Sequence, residues 1–111
     1  MCEKNGSEVP KIFYESEGRS GYVHYLNKDS KFKLFYEFGS GSCVAIIHIP
    51  SPDNWEKQTN LTLAIRDEVL TTIGRQIVKD QTAEGSGYFK IEGNWLIIYA
   101  WKITWLQLEY Y

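Results

Sequence analysis

The sequence predicts an α+β domain: an antiparallel sheet, built from a four-stranded meander and a C-terminal hairpin, with one long helix packed on one face. Three observations predict it. Short runs of β-branched and aromatic residues alternate with polar ones at a period of two. One segment alone, Thr62 to Asp80, carries a strong helical period. The strand-like runs are joined by short Gly, Asn, Asp and Ser loops, too short for the crossovers that parallel strands need.

Lys11 to Ser16 and Ser20 to Asn27 flank the turn-forming Glu17-Gly18-Arg19 and read as a hairpin. After a second turn at Asn27 to Ser30, Phe32, Leu34, Tyr36 and Phe38 alternate with Lys31, Lys33, Phe35 and Glu37, the pattern of a half-buried strand. Gly39 to Ser42 reverses the chain into Cys43 to Ile49, whose apolar residues face both ways and suit a central strand. Pro50 and Pro52 stop that strand. Ser51 followed by Pro52 suits an N-cap and first helical position, which predicts a short helical turn over 52–58 holding Trp55.

On a wheel of 100° per residue, Ile65, Val69, Leu70, Ile73 and Ile77 fall within a stripe about 140° wide, while Asp67, Glu68, Thr71, Gly74 and Arg75 lie outside it. At about 1.5 Å per residue this helix is about 28 Å long, enough for one face of a small sheet and not for two. Tyr88 to Glu92 and Trp95 to Trp101 then form a hairpin around Gly93-Asn94. The stretch from Trp95 to Tyr111 has no turn signal and exceeds an ordinary strand. It bends near Lys102, or its far end overhangs the sheet and finds a partner.

With 111 residues, the chain fits one domain over 11–111 behind a flexible tail over 1–10. A net charge of -2 gives no basic surplus, so nucleic acid is not an expected partner, and the lysines of Lys31 to Lys33 read as solubilising. No apolar run approaches the roughly 18 residues of a membrane span, and the polar N-terminal segment has no signal-like apolar stretch, so the expected compartment is the cytoplasm. Cys2 and Cys43 read as plain thiols. The glycosylation-like Asn60-Leu61-Thr62 carries little weight beside a helix start.

No catalytic motif is present, and no metal or cofactor is expected: two histidines without HxH, HExxH or CxxC spacing do not make a metal site. Arg66 projects from the apolar stripe, where a guanidinium needs a carboxylate or carbonyls; Glu37 and Glu15 are its expected partners. Asp53, Glu56, Asp67 and Glu68 sit at helix starts, where the helix dipole favours them.

Aromatic residues make up 15% of the chain, and Trp95, Tyr99, Trp101, Trp105 and Tyr110 crowd its C-terminal end. Trp and Tyr are enriched at interface hot spots, and a sheet with one helix leaves its other face to be covered. The expected function is therefore a small binding protein acting through its C-terminal aromatic strand, with a second copy or another protein as partner. The competing expectations are a strongly curved sheet that buries these rings itself, and a pocket between helix and sheet. In that pocket Arg66 holds an anionic small molecule, with His48 or Glu37 handling protons.

Overall fold

A computed structural model describes residues 10–28, 30–82 and 86–100. Six strands form one antiparallel sheet: β1 (Lys11–Glu17), β2 (Ser20–Asn27), β3 (Ser30–Phe38), β4 (Cys43–His48), β5 (Gly87–Glu92) and β6 (Trp95–Ala100). Their order across the sheet is β1-β2-β3-β4-β6-β5, so the meander runs from one edge and the hairpin docks its second strand against β4. Between β4 and β5 the chain forms α1 (Pro52–Thr59), a 3-10 turn (Leu63–Ile65) and α2 (Arg66–Gln81). The α+β class, the meander, the long helix and the final hairpin are those the sequence predicts.

Alternation along the strands creates two unlike faces. In β3, Phe32, Leu34 and Tyr36 are buried while Lys31, Lys33, Phe35 and Glu37 are exposed. The register carries that parity sideways, placing Val23 beside Leu34, Tyr36 beside Ile47, and Ile47 beside Leu96. These residues meet Val69, Leu70, Ile73 and Ile77 of α2 and Trp55 of α1 in a single core. The Glu17–Ser20 and Glu92–Trp95 pairs are each closed by a two-residue turn whose first residue, Gly18 or Gly93, has positive φ, a conformation that costs glycine least.

Both helices lie on the same face. α1 packs on β3, and α2 on β5 and β6. Trp55 anchors α1: its side chain is fully buried, its ring meets Phe32 edge-on at 6.1 Å, and its Nε1 donates to the Thr62 carbonyl at 3.0 Å. The Ser30 hydroxyl donates to the Thr59 carbonyl at 2.5 Å, tying the helix end to the start of β3. Asn60, at φ 64°, ends α1 in a left-handed cap.

Two local expectations change. The predicted continuous helix from Thr62 begins as a 3-10 turn, and the α-helix proper starts at Arg66. Gly74, placed outside the apolar stripe by the wheel, is buried, because α2 comes so close to β5 that a Cβ there would sit 2.7 Å from the Phe89 ring. Among the described residues no helix is long and apolar enough to cross a membrane. The expected tail over 1–10 lies, apart from Pro10, outside the described residues.

Gly74→Ala sets a helix-propensity gain of about 1 kcal/mol against forced movement of Phe89, and is expected to destabilise the fold by about 1 to 2 kcal/mol net. Ile73→Ala is expected to cost about 2 to 5 kcal/mol as a core truncation. Urea denaturation of both variants checks this. A Gly74→Ala chain more stable than the parent would show that Phe89 does not crowd the helix.

Candidate interaction surface

The face of the sheet opposite the helices carries a row of side chains running across the strands. Register places Glu15 of β1 beside Tyr22 of β2, Tyr22 beside Phe35 of β3, His48 of β4 beside Trp95 of β6, and Trp95 beside Glu92 of β5. Phe35 and His48 close the row between β3 and β4. The rings touch in sequence: Tyr22 to Phe35 at 5.8 Å, Phe35 to His48 at 5.2 Å and His48 to Trp95 at 4.6 Å, each pair edge to face. Edge-to-face contact suits the ring quadrupoles, and such pairs contribute about 0.5 to 1.5 kcal/mol beyond burial. With strands about 4.8 Å apart, this ladder and its two terminal carboxylates span about 24 Å.

Further ring pairs lie on the same face, one in the row next to the ladder and one two rows away beyond Ile97 and Lys90. Phe13 stacks on His24 at 4.7 Å, and Tyr88 stacks on Tyr99 at 4.9 Å. Two of the chain's own ammonium groups lie over rings here, Lys33 at 4.2 Å from the Tyr22 centroid and Lys90 at 6.0 Å from Tyr99. Despite these contacts the surface stays wet: Phe13 is 43%, Phe35 36% and Trp95 44% exposed.

Each histidine of the surface is held by a carboxylate one strand away. His24 Nε2 lies 2.9 Å from Glu15 Oε1, and His48 Nε2 lies 3.3 Å from Glu37 Oε2. This fixes the imidazoles against Phe13 and between Phe35 and Trp95. Both histidines are thus engaged by a carboxylate on the neighbouring strand. Among the described residues no group of three or more His, Cys, Asp or Glu is placed to hold a metal. Burial pushes the Cys43 thiol pKa up, which disfavours the thiolate form.

The predicted anion site is not assembled around Arg66. Glu37 and His48 stand together on the open face, whereas Arg66 lies at the start of α2 on the covered side. Its guanidinium donates to the Pro50 carbonyl at 2.9 Å, lies 5.9 Å from the Trp55 ring and approaches Asp67 at 4.0 Å. Its expected partners, Glu15 and Glu37, hold the histidines instead. A pocket does open between helix and sheet, walled by Val23, Tyr36, Phe38, Val44, Ala45 and Ile77. It lies at the far end of α2: Ile77 is eleven residues, about 16 Å, along the helix from Arg66. Among the described residues no basic side chain lines it, and its space of about 70 Å³ is under half the roughly 150 Å³ of a cavity that takes up benzene.

At the mouth of this pocket the Ser16 and Tyr36 hydroxyls are 2.7 Å apart, and the Tyr14 hydroxyl donates to Asp80 at 2.6 Å. Burial, and then the Asp80 carboxylate, raise the Tyr14 pKa above its ordinary 10.0.

Of the C-terminal rings singled out from the sequence, Trp95 and Tyr99 lie on the open face, while Trp101, Trp105 and Tyr110 lie outside the described residues. Sequence reasoning missed Tyr22, Phe35 and Phe13 as members of the same surface. Their signal was parity, since each is out of phase with the buried residues of its strand, but joining them required the register. Comparison with protein-family models, with curated proteins and with solved structures finds no match to the chain.

Trp95→Ala is expected to cost about 1 kcal/mol or less, as a surface change, whereas Trp55→Ala is expected to cost about 3 to 5 kcal/mol. Thermal unfolding of the two separates ladder from core. For Tyr14 the sign follows from the raised pKa: its contribution is complete below pH 10.0, where the unfolded chain keeps the proton, and is lost as pH rises through the higher folded value. Stability measured against pH should therefore fall less steeply above pH 10.0 in Tyr14→Phe than in the parent. Equal alkaline slopes would show that burial and Asp80 together do not raise the Tyr14 pKa in the folded chain.

Proposed function

We propose that the chain is a protein-binding module acting through the open face of its sheet, with the Tyr22-Phe35-His48-Trp95 ladder as the centre of contact. The observation that carries this reading is a run of touching rings from β2 to β6 on the side that neither described helix covers. Rings dominate interface hot spots because they bring large contact area with little side-chain entropy to lose, and here their neighbours already hold them in place. Exposed apolar surface of this extent is seldom left bare on a protein that works alone. The C-terminal aromatic strand takes part through Trp95 and Tyr99, although the surface reaches well beyond that strand to β1, β2 and β3.

The small-ligand alternative draws less support at Arg66, which is engaged by Pro50 and Trp55; the pocket under the C-terminal end of α2 is small, and a second opening of about 280 Å³, lined by Arg75, Val78, Tyr88 and Phe89, starts nine residues along α2 from Arg66. The test is photo-crosslinking inside the producing cell, with a photoreactive residue at position 35 or 95, or at position 58 or 75 on the helical side. Protein adducts from 35 and 95, whether to a second copy or to another protein, are the expected result. Adducts from all four positions alike, or from none, would contradict the reading.

A further inference from the structure

Charge on the open face is arranged end to end. β1 and β3 point the same way, because each pairs antiparallel with β2. On both, the outward lysines come first and the outward glutamates last: Lys11 precedes Glu15 and Glu17, and Lys31 and Lys33 precede Glu37. This half of the face therefore has a basic end and an acidic end, with the ring ladder between them. A uniformly anionic partner such as nucleic acid would meet the carboxylates, and a uniformly basic one would meet the lysines.

A partner with the same polarity, turned round, meets neither problem along β3, and the like carboxylates that then face each other, Glu15 and Glu92, stand at the two ends of the ladder, at the rim of the face. From this, and resting on the reading above, we infer that the partner this face fits is a second copy of the chain, packed face to face about a two-fold axis at Phe35. Along β3 the outward residues are Lys33, Phe35 and Glu37, so Phe35 is the midpoint of a charge-antisymmetric triplet. A two-fold axis there, perpendicular to the strand, lays Phe35 on Phe35 of the second copy. It also sets Lys33 opposite Glu37 and Glu37 opposite Lys33. Such an interface is isologous, and both ion pairs arise from one contact repeated by symmetry. Aligned sheets pack about 10 Å apart at roughly 30°, a gap that lysine and glutamate side chains bridge from opposite sides.

Size agrees with this geometry. Six strands about 4.8 Å apart and about seven residues long at 3.4 Å per residue give a face of roughly 700 Å² in projection. A stable interface removes about 800 Å² of accessible surface from each partner, and side-chain relief makes accessible area larger than projected area. Most of the face must take part, ladder included. β3 stands third from the β1 edge, close to the middle of the sheet, so an axis at Phe35 is placed to use most of it.

Sedimentation velocity of the full chain over a range of concentrations, with charge-reversed variants, tests the inference. Lys33 and Glu37 are both exposed, and melting curves verify that each variant folds. The parent should form a dimer. Lys33→Glu and Glu37→Lys should each weaken it by about tenfold or more, because each sets like charges opposite one another twice. An equimolar mixture of the two variants, and the double variant Lys33→Glu/Glu37→Lys, should recover it, whereas Arg75→Glu on α2 should leave it unchanged. A parent monomeric at every concentration overturns the inference, and so does a dimer indifferent to these reversals. If the parent is a monomer while positions 35 and 95 still crosslink to other proteins, the binding reading stands and the second copy is wrong.

Discussion

Everything in this fold follows from burial on one side only. A helix with its side chains is about 10 Å wide, and six strands about 4.8 Å apart make a sheet of roughly 29 Å. Two helices roof about two thirds of one face. α2 takes β5 and β6, α1 takes β3, and the unroofed remainder is the small pocket beside β1 and β2 under the C-terminal end of α2. Nothing is left among the described elements to cover the other face. That face keeps its rings in water, steadied by ring contacts and two histidine–glutamate pairs rather than by a core.

The open face differs in kind from the covered one. On the covered side, Leu34, Ile47, Leu96 and Ile98 are excluded from solvent, so their contribution is that of apolar burial and is sensitive to cavities. On the open side Phe13, Phe35 and Trp95 keep a large solvent-facing area, while Tyr22, Tyr88 and Tyr99 are half-buried. His24 and His48 supply hydrogen bonds within the ring surface, and Lys33 and Lys90 lie over rings. Such a surface tolerates water when free and offers large rigid contact area when covered, the combination that protein interfaces draw on.

Much of this was legible in the residues themselves. Period-two runs and one period-3.6 stretch suffice for the class, the meander and the hairpin, because strand and helix periods sort apolar residues onto faces without help from tertiary contacts. What escaped depended on distances between elements. Gly74 is polar-side on any wheel, yet α2 approaches β5 so closely that its lack of a side chain becomes a packing requirement. Arg66 was rightly suspected of needing a partner, but its partner is a backbone carbonyl, Pro50, and carbonyls leave no mark in a sequence. The open face is partly visible in the sequence: Trp95 and Tyr99 stand out by composition, while Tyr22, Phe35 and His48 join Trp95 in one row only once β2, β3, β4 and β6 are set side by side.

The central claim is that this chain, by its own described elements, leaves the ring ladder facing solvent. Hydroxyl-radical footprinting of the dilute protein, with residue-level readout by fragment mass spectra, tests it most directly. The account predicts rapid labelling of Phe35 and Trp95 beside slow labelling of Trp55 and Leu34. Protection of Phe35 and Trp95 equal to that of Trp55 in the dilute chain would contradict it.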